Sequence, residues 1–112
     1  MDVPLLHRSQ FSAAERSLRS RIAQLASSRL FIRGTLSDRS GKCGKPNCRC
    51  ANGALHPSVY LVQSHDGEPR QNCLPKAWQE RERQAVKDYQ EMQRLIEQVS
   101  ELEWKRLMER KP

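Results

Sequence analysis

The sequence predicts an α+β fold: a small three-stranded antiparallel sheet carrying a cysteine-rich zinc loop, with an N-terminal helix and a long C-terminal helix. Three observations carry that reading. The order Ser12-Ala13-Ala14-Glu15 stands ahead of a helical stripe, Asp66-Gly67 joins two strand-like runs, and nothing breaks a helix from residue 76 to about residue 109.

Residues 1–11 contain Pro4 and no periodicity, and read as an arm. In residues 12–28 the serine hydroxyl and the Glu15 carboxylate match a capping box, each satisfying a free N–H of the first turn. Ala14, Leu18, Ile22 and Leu25 follow at helical spacing and form a narrow apolar stripe. Residues 29–74 read as the sheet: strands at 29–36, 58–64 and 70–74, with a loop over 41–56 between the first two and a turn at Asp66-Gly67 between the last two. Leu74-Pro75 opens the last element at 75–110, since proline suits the start of a helix. Trp78, Ala85, Tyr89, Met92, Ile96 and Val99 recur on one face of it. Its thirty-odd residues span on the order of 50 Å, longer than a compact domain of this size needs. Met92, Leu95, Val99 and Leu102 keep a heptad spacing over barely two heptads, and are the candidate interface. That face is open to two occupants, the first helix of the same chain or a partner, including a second copy.

Length and composition set the bounds. A chain of 112 residues is one domain by size, 12–112 after the arm, and its six aromatic residues and 37% apolar content make only a small core. Such a core calls for a metal or a partner to help hold it. The formal charge is +7, with ten Lys and Arg against three Asp and Glu in residues 1–50 and near balance beyond. So local an excess points to a polyanion, DNA before RNA. No apolar run approaches the roughly eighteen residues of a membrane span, and the first ten residues lack the order of a signal peptide, which predicts a soluble, cytoplasmic protein. The Arg-, Ser- and Ala-rich stretch from Arg16 has the composition of a transit peptide, but reads better as a domain helix.

The chemistry concentrates in residues 43–56, spaced C-x4-C-x-C-x5-H. Cys43, Cys48, Cys50 and His56 are a tetrahedral set for a structural zinc ion, soft enough to select it and leaving no position for substrate. Lys42, Lys45 and Arg49 beside them favour the thiolate form that binds metal. Disulfides, a redox switch and a nucleophilic cysteine are the competing readings. The first does not suit an intracellular chain, the second rests on the closeness of the thiols, and the third lacks a base placed by sequence. Cys73 reads as a small buried hydrophobe, with replacement of His56 as a ligand as the alternative. His7 and His65 carry no pattern and read as surface residues. No catalytic constellation can be assembled, so no enzyme is expected.

The block CGKPNCRC followed by a histidine, the strand YLV, a D-G turn and a strand ending in L-P before a long helix resemble a bacterial family of short proteins with a C-G-K-P-x-C-x-C-x5-H core, often found with transposases and other mobile elements. The resemblance runs over residues 33–102. It implies Cys43, Cys48, Cys50 and His56 as shared metal candidates, with Gly44, Lys45 and Pro46 completing the motif, and an apolar residue at the position of Cys73. The chain departs from it in His56-Pro57-Ser58-Val59-Tyr60, where relatives have H-G-P-Y, and in a less basic hairpin. The expected function is a zinc-stabilised nucleic-acid-binding accessory protein of a mobile element, with Arg29, Arg33, Arg39, Lys42, Lys45 and Arg49 contacting phosphates. A protein interaction module built on the long helix is the alternative, and a thiol redox regulator the next.

Overall fold

The computed structural model describes residues 5–41 and 56–110. The elements in chain order are helix α1 (Ala13–Ser28), strands β1 (Thr35–Gly41), β2 (His56–His65) and β3 (Glu68–Cys73), and helix α2 (Lys76–Glu109). A helix, a three-stranded antiparallel sheet and a long final helix make this an α+β fold. The chain divides into two compact units: Met1–Leu30 with Asp88–Pro112, which is helical, and Phe31–Lys87, which holds the sheet.

In the helical unit Ser12 caps α1 by accepting the Glu15 N–H at 3.1 Å, as the capping box predicts. The reciprocal bond is replaced. The Glu15 side chain is fully buried and accepts instead from Arg19 Nε and Arg106 Nη1, each at 2.8 Å. Ala14 is exposed, so the inward row of α1 is Glu15 and Leu25, which are buried, with Leu18 and Ile22 half-buried between them. Leu25 packs with Met92 and Leu95 of α2, and Leu18 and Ile22 lie against this cluster. Arg29 to Asp88 (3.8 Å) and Arg21 to Glu91 (3.9 Å) continue the pairing, so low numbers on α1 meet high numbers on α2 and the two run antiparallel. The end of the arm, from His7 to Phe11, is tied to the chain that follows. His7 caps a single 3-10 turn at Arg8–Gln10, Arg16 donates to the Phe11 carbonyl at 2.7 Å, and Arg19 lies 4.0 Å over the Phe11 ring.

In the sheet unit the strand order is β1-β2-β3. The first strand is displaced from the expected 29–36 to 35–41. Ile32 donates its N–H to the Ala85 carbonyl at 3.2 Å, so it is not free for a ladder. Gly34 then turns the chain at φ 154°, where an added Cβ would come within 2.8 Å of Leu61 Cδ1 and 3.0 Å of the Val62 carbonyl. The Asp66-Gly67 turn forms as expected: φ of 51° and 81° at its two central residues is the mirror-image turn that suits a two-residue hairpin, closed by His65 opposite Glu68. Alternation places Leu36, Asp38, Val59 and Leu61 on one face. Val59 and Leu61 are buried there, and Arg83 of α2 reaches Asp38 at 2.8 Å. Every residue of β3 is exposed.

On α2 the buried row is Ala85, Asp88, Met92 and Leu95, with Val99 and Leu102 half-buried. Trp78 and Ile96, expected on that face, are 46% and 53% exposed. Ile96 follows directly on Leu95, which packs in the cluster with Leu25 and Met92, and a neighbour turned by about 100° around the helix points away from that cluster.

Candidate functional site

The ladder between β1 and β2 ends with Gly41 opposite His56. The connection between those two residues is the cysteine loop, so its entry and exit leave the sheet side by side. Cys43, Cys48, Cys50, Lys42, Lys45 and Arg49 lie outside the described residues. His56 is the first residue of β2. Among the described residues no three His, Cys, Asp or Glu groups are gathered as a metal site.

Cys73 is not buried as the sequence suggests. It is an exposed free thiol on β3, opposite Tyr60. Tyr60 stands four residues along β2 from His56, about 13 Å at the strand rise, so Cys73 and the loop base are at different levels of the sheet. The apolar expectation fails because β3 is an edge strand whose residues are all exposed.

The three described members of the expected basic set are held differently. Arg29 belongs to the helical unit and pairs with Asp88. Arg33 donates Nη2 to the Ser64 carbonyl at 2.6 Å, while its own carbonyl accepts from Gln63 Nε2 at 2.5 Å. Arg39 has the most constrained geometry. Its guanidinium lies 4.2 Å over the Tyr60 ring, Nη2 donates to Gln71 Oε1 at 2.9 Å and Nε to Ser37 Oγ at 3.2 Å. Ser37, Arg39, Tyr60 and Gln71 share the sheet face opposite to that of Val59 and Leu61. A planar fork preset in this way loses less side-chain freedom when it takes an anion. The sequence names Arg39 but not its three supports, because residues up to thirty-two positions away become neighbours only once the register is known.

Beside Leu61, at the β3 edge, an open groove of about 260 Å³ is lined by Ile32, Leu61, Gln63, Arg70, Gln71 and Asn72. Arg70 Nε donates to Gln63 Oε1 at 2.6 Å there. The groove offers guanidinium and amide groups beside two aliphatic side chains.

Of the expected interface residues, Met92 and Leu95 are 8% exposed and packed on α1 of the same chain. Between the two occupants left open for this face, α1 takes these two positions, and Val99 and Leu102 are half-covered. Sequence reasoning also misread the side chain of Glu15. The Arg106 hydrogen bond holds its carboxyl below the ordinary value of 4.5 against the opposing effect of burial, with Arg19 adding to it. Arg106 is correspondingly raised by Glu15 and then by Glu103. The signal was present: Glu15 and Arg106 are opposite charges that each sit on an otherwise apolar helical row.

Fold and site together define a small α+β protein whose three-stranded meander carries a basic cysteine loop between its first two strands. The chain belongs to the family described as domain of unknown function (DUF6788), whose model matches residues 10–85. No curated protein and no solved structure matches the chain.

Proposed function

We propose that the chain is a zinc-stabilised nucleic-acid-binding accessory protein of a bacterial mobile element, which contacts phosphates through its sheet unit. The observation that carries this reading is the closure of the β1–β2 ladder at Gly41 opposite His56. In the sequence Cys43 follows Gly41 by two positions and His56 ends the loop, so the first and last of the four donors flank that closure. Two soft thiolates more in the same loop, Cys48 and Cys50, complete a donor set that suits zinc. The ion would supply structure, closing a loop that otherwise leaves a small sheet unfastened.

Charge supports the nucleic-acid half of the reading. The sheet unit carries ten Lys and Arg against five Asp and Glu, a net of +5, and the helical unit a net of +2. Three of those cations, Lys42, Lys45 and Arg49, are in the cysteine loop with no acid among them. Arg39, preset on Tyr60, supplies a fork that matches phosphate geometry.

Fluorescence anisotropy with labelled DNA and RNA of mixed sequence, across a salt series, tests this. Log affinity should fall linearly with log salt, by about 0.9 for each duplex phosphate contacted. Arg39→Ala should weaken binding alike for all sequences and reduce that slope by about one contact. Binding indifferent to salt, or none at low salt, overturns the reading.

A further inference from the structure

A guanidinium lies over an aromatic ring three times among the described residues, and one of the three differs from the others. Arg19 over Phe11 (4.0 Å) and Arg81 over Trp78 (4.2 Å) each meet a carboxylate as well, Glu15 at 2.8 Å and Glu82 at 3.5 Å. Arg39 over Tyr60 (4.2 Å) has neutral partners instead, the Ser37 hydroxyl and the Gln71 amide oxygen. Three side chains fix where this cation stands, and none of them cancels its charge. Alternation along the strands explains why no strand acid does so: Asp38 and Glu68, opposite Val59 and His65, belong to the other face of the sheet.

What the three supports leave over defines the ligand. Tyr60 takes one side of the guanidinium plane, and the edge formed by Nε and Nη2 is spent on Ser37 and Gln71. The outer side of the plane and the Nη1 end have no partner among the described residues, and Arg39 is exposed. No described side chain on this face of the sheet is buried, and Gln71 and Cys73 beside the stack are exposed, so a flat ligand can approach it. Bases stack on arginine planes as they do on aromatic rings. In a duplex the base faces are already stacked on one another, which leaves the edges and the phosphates for a protein to touch. The free plane therefore suits a base that has no partner strand.

We propose that the outer side of the Arg39 guanidinium, seated on Tyr60, stacks an unpaired base of a single-stranded nucleic acid, and that the Nη1 end meets a phosphate next to that base. This rests on the nucleic-acid reading above and narrows it to unpaired stretches. Every base has a π-face, so the contact is indifferent to sequence.

Fluorescence anisotropy of the full chain tests the proposal with labelled single strands of DNA and of RNA, the abasic counterpart of each, which keeps every phosphate, and a DNA duplex of the same length. Each complete single strand should bind about tenfold more tightly than its abasic counterpart. Arg39→Lys keeps the charge and loses the plane. It should erase that difference, while binding to the abasic strands and to the duplex stays at the parent's level. The side chain is exposed, so circular dichroism of the variant should match the parent. Salt-dependent binding that is equal for complete and abasic strands overturns this proposal and leaves the phosphate reading standing, whereas no binding to any probe at low salt overturns both. A preference for complete strands that survives Arg39→Lys overturns the assignment to Arg39.

Discussion

The helical unit and the sheet unit are held by different forces. In the helical unit side chains do most of it: Leu25 is 1% exposed against Met92 and Leu95, and Glu15, with no exposed side-chain surface, is gripped by two arginines. In the sheet unit the strands carry two buried apolar side chains, Val59 and Leu61, with Ala85 and Val86 from the start of α2, while β3 is exposed throughout. Its order comes mainly from the backbone ladder, which joins seven residue pairs between β1 and β2 and six between β2 and β3. A net hydrogen bond contributes only about 0.5–1.5 kcal/mol, and a lone hairpin is marginal in water. The contrast teaches that a fastener belongs in the sheet unit, which is where the three clustered cysteines are.

The largest expected effect breaks that contrast directly. A structural zinc ion contributes roughly 10–16 kcal/mol of apparent binding energy, more than a typical domain's whole stability of about 5–15 kcal/mol. Chelation, or Cys50→Ser, should therefore let the amides of β1 and β2 exchange as in an unfolded chain, while those of α1 and of α2 beyond Asp88 stay protected. Hydrogen exchange read residue by residue checks this. Sheet amides that remain protected without metal would show that the ladder needs no fastener.

The complementary change acts on the helical unit. Leu25→Ala removes the most buried apolar side chain of its core and should cost about 2–5 kcal/mol, read as a lower denaturant midpoint for helical signal. The third change returns to the sheet. At Gly34 a methyl group would meet the Val62 carbonyl at 3.0 Å as well as Leu61 Cδ1, and φ of 154° is unfavourable for any other residue. The leucine can move, but the carbonyl belongs to the ladder. Gly34→Ala should cost about 1–3 kcal/mol and loosen β1 before any helix, by the same exchange measurement.

How much of each unit was legible in the sequence follows the same division. The bounds of α2, the start of α1 at Ser12 and the Asp66-Gly67 turn could be read because each rests on contacts within a few residues. The start of β1 could not. Thr35–Gly41 holds a single large apolar residue, Leu36, and is a strand because β2 pairs with it, not because of its own pattern. Trp78 and Ile96 were placed on the core face of α2 because a 3.6-residue period tolerates two neighbouring rows until a partner helix selects one. Of the candidate site, the loop donors rest on spacing alone, since Cys43, Cys48 and Cys50 lie outside the described residues, whereas the support of Arg39 by Tyr60 and Gln71 depends on a register the sequence does not state. The fate of Glu15 combines both cases: its backbone role as a capping neighbour was local and correct, and its carboxylate was claimed by Arg106, ninety-one residues away.

That carboxylate gives the smallest effect, and one that sharpens the comparison because the sheet unit has no counterpart among the described residues. The Arg106 bond lowers the Glu15 pKa in the folded chain below its ordinary value of 4.5, with burial opposing and Arg19 reinforcing. A carboxyl with a depressed folded pKa binds its proton more readily in the unfolded chain, so stability rises with pH wherever the unfolded state holds more protons. The contribution should be complete above the unfolded value near 4.5 and drain away as pH falls through the lowered folded value. Arg19 and Arg106 are 42% and 41% exposed, so water screens both partners and limits the size of the effect. Denaturant midpoints of the helical unit measured from neutral to acid pH should show this decline, and Glu15→Gln should flatten it. A parent and a Glu15→Gln variant with the same acid slope would mean that other carboxylates govern the acid limit, and that the buried charge orients the two helices without setting when they part.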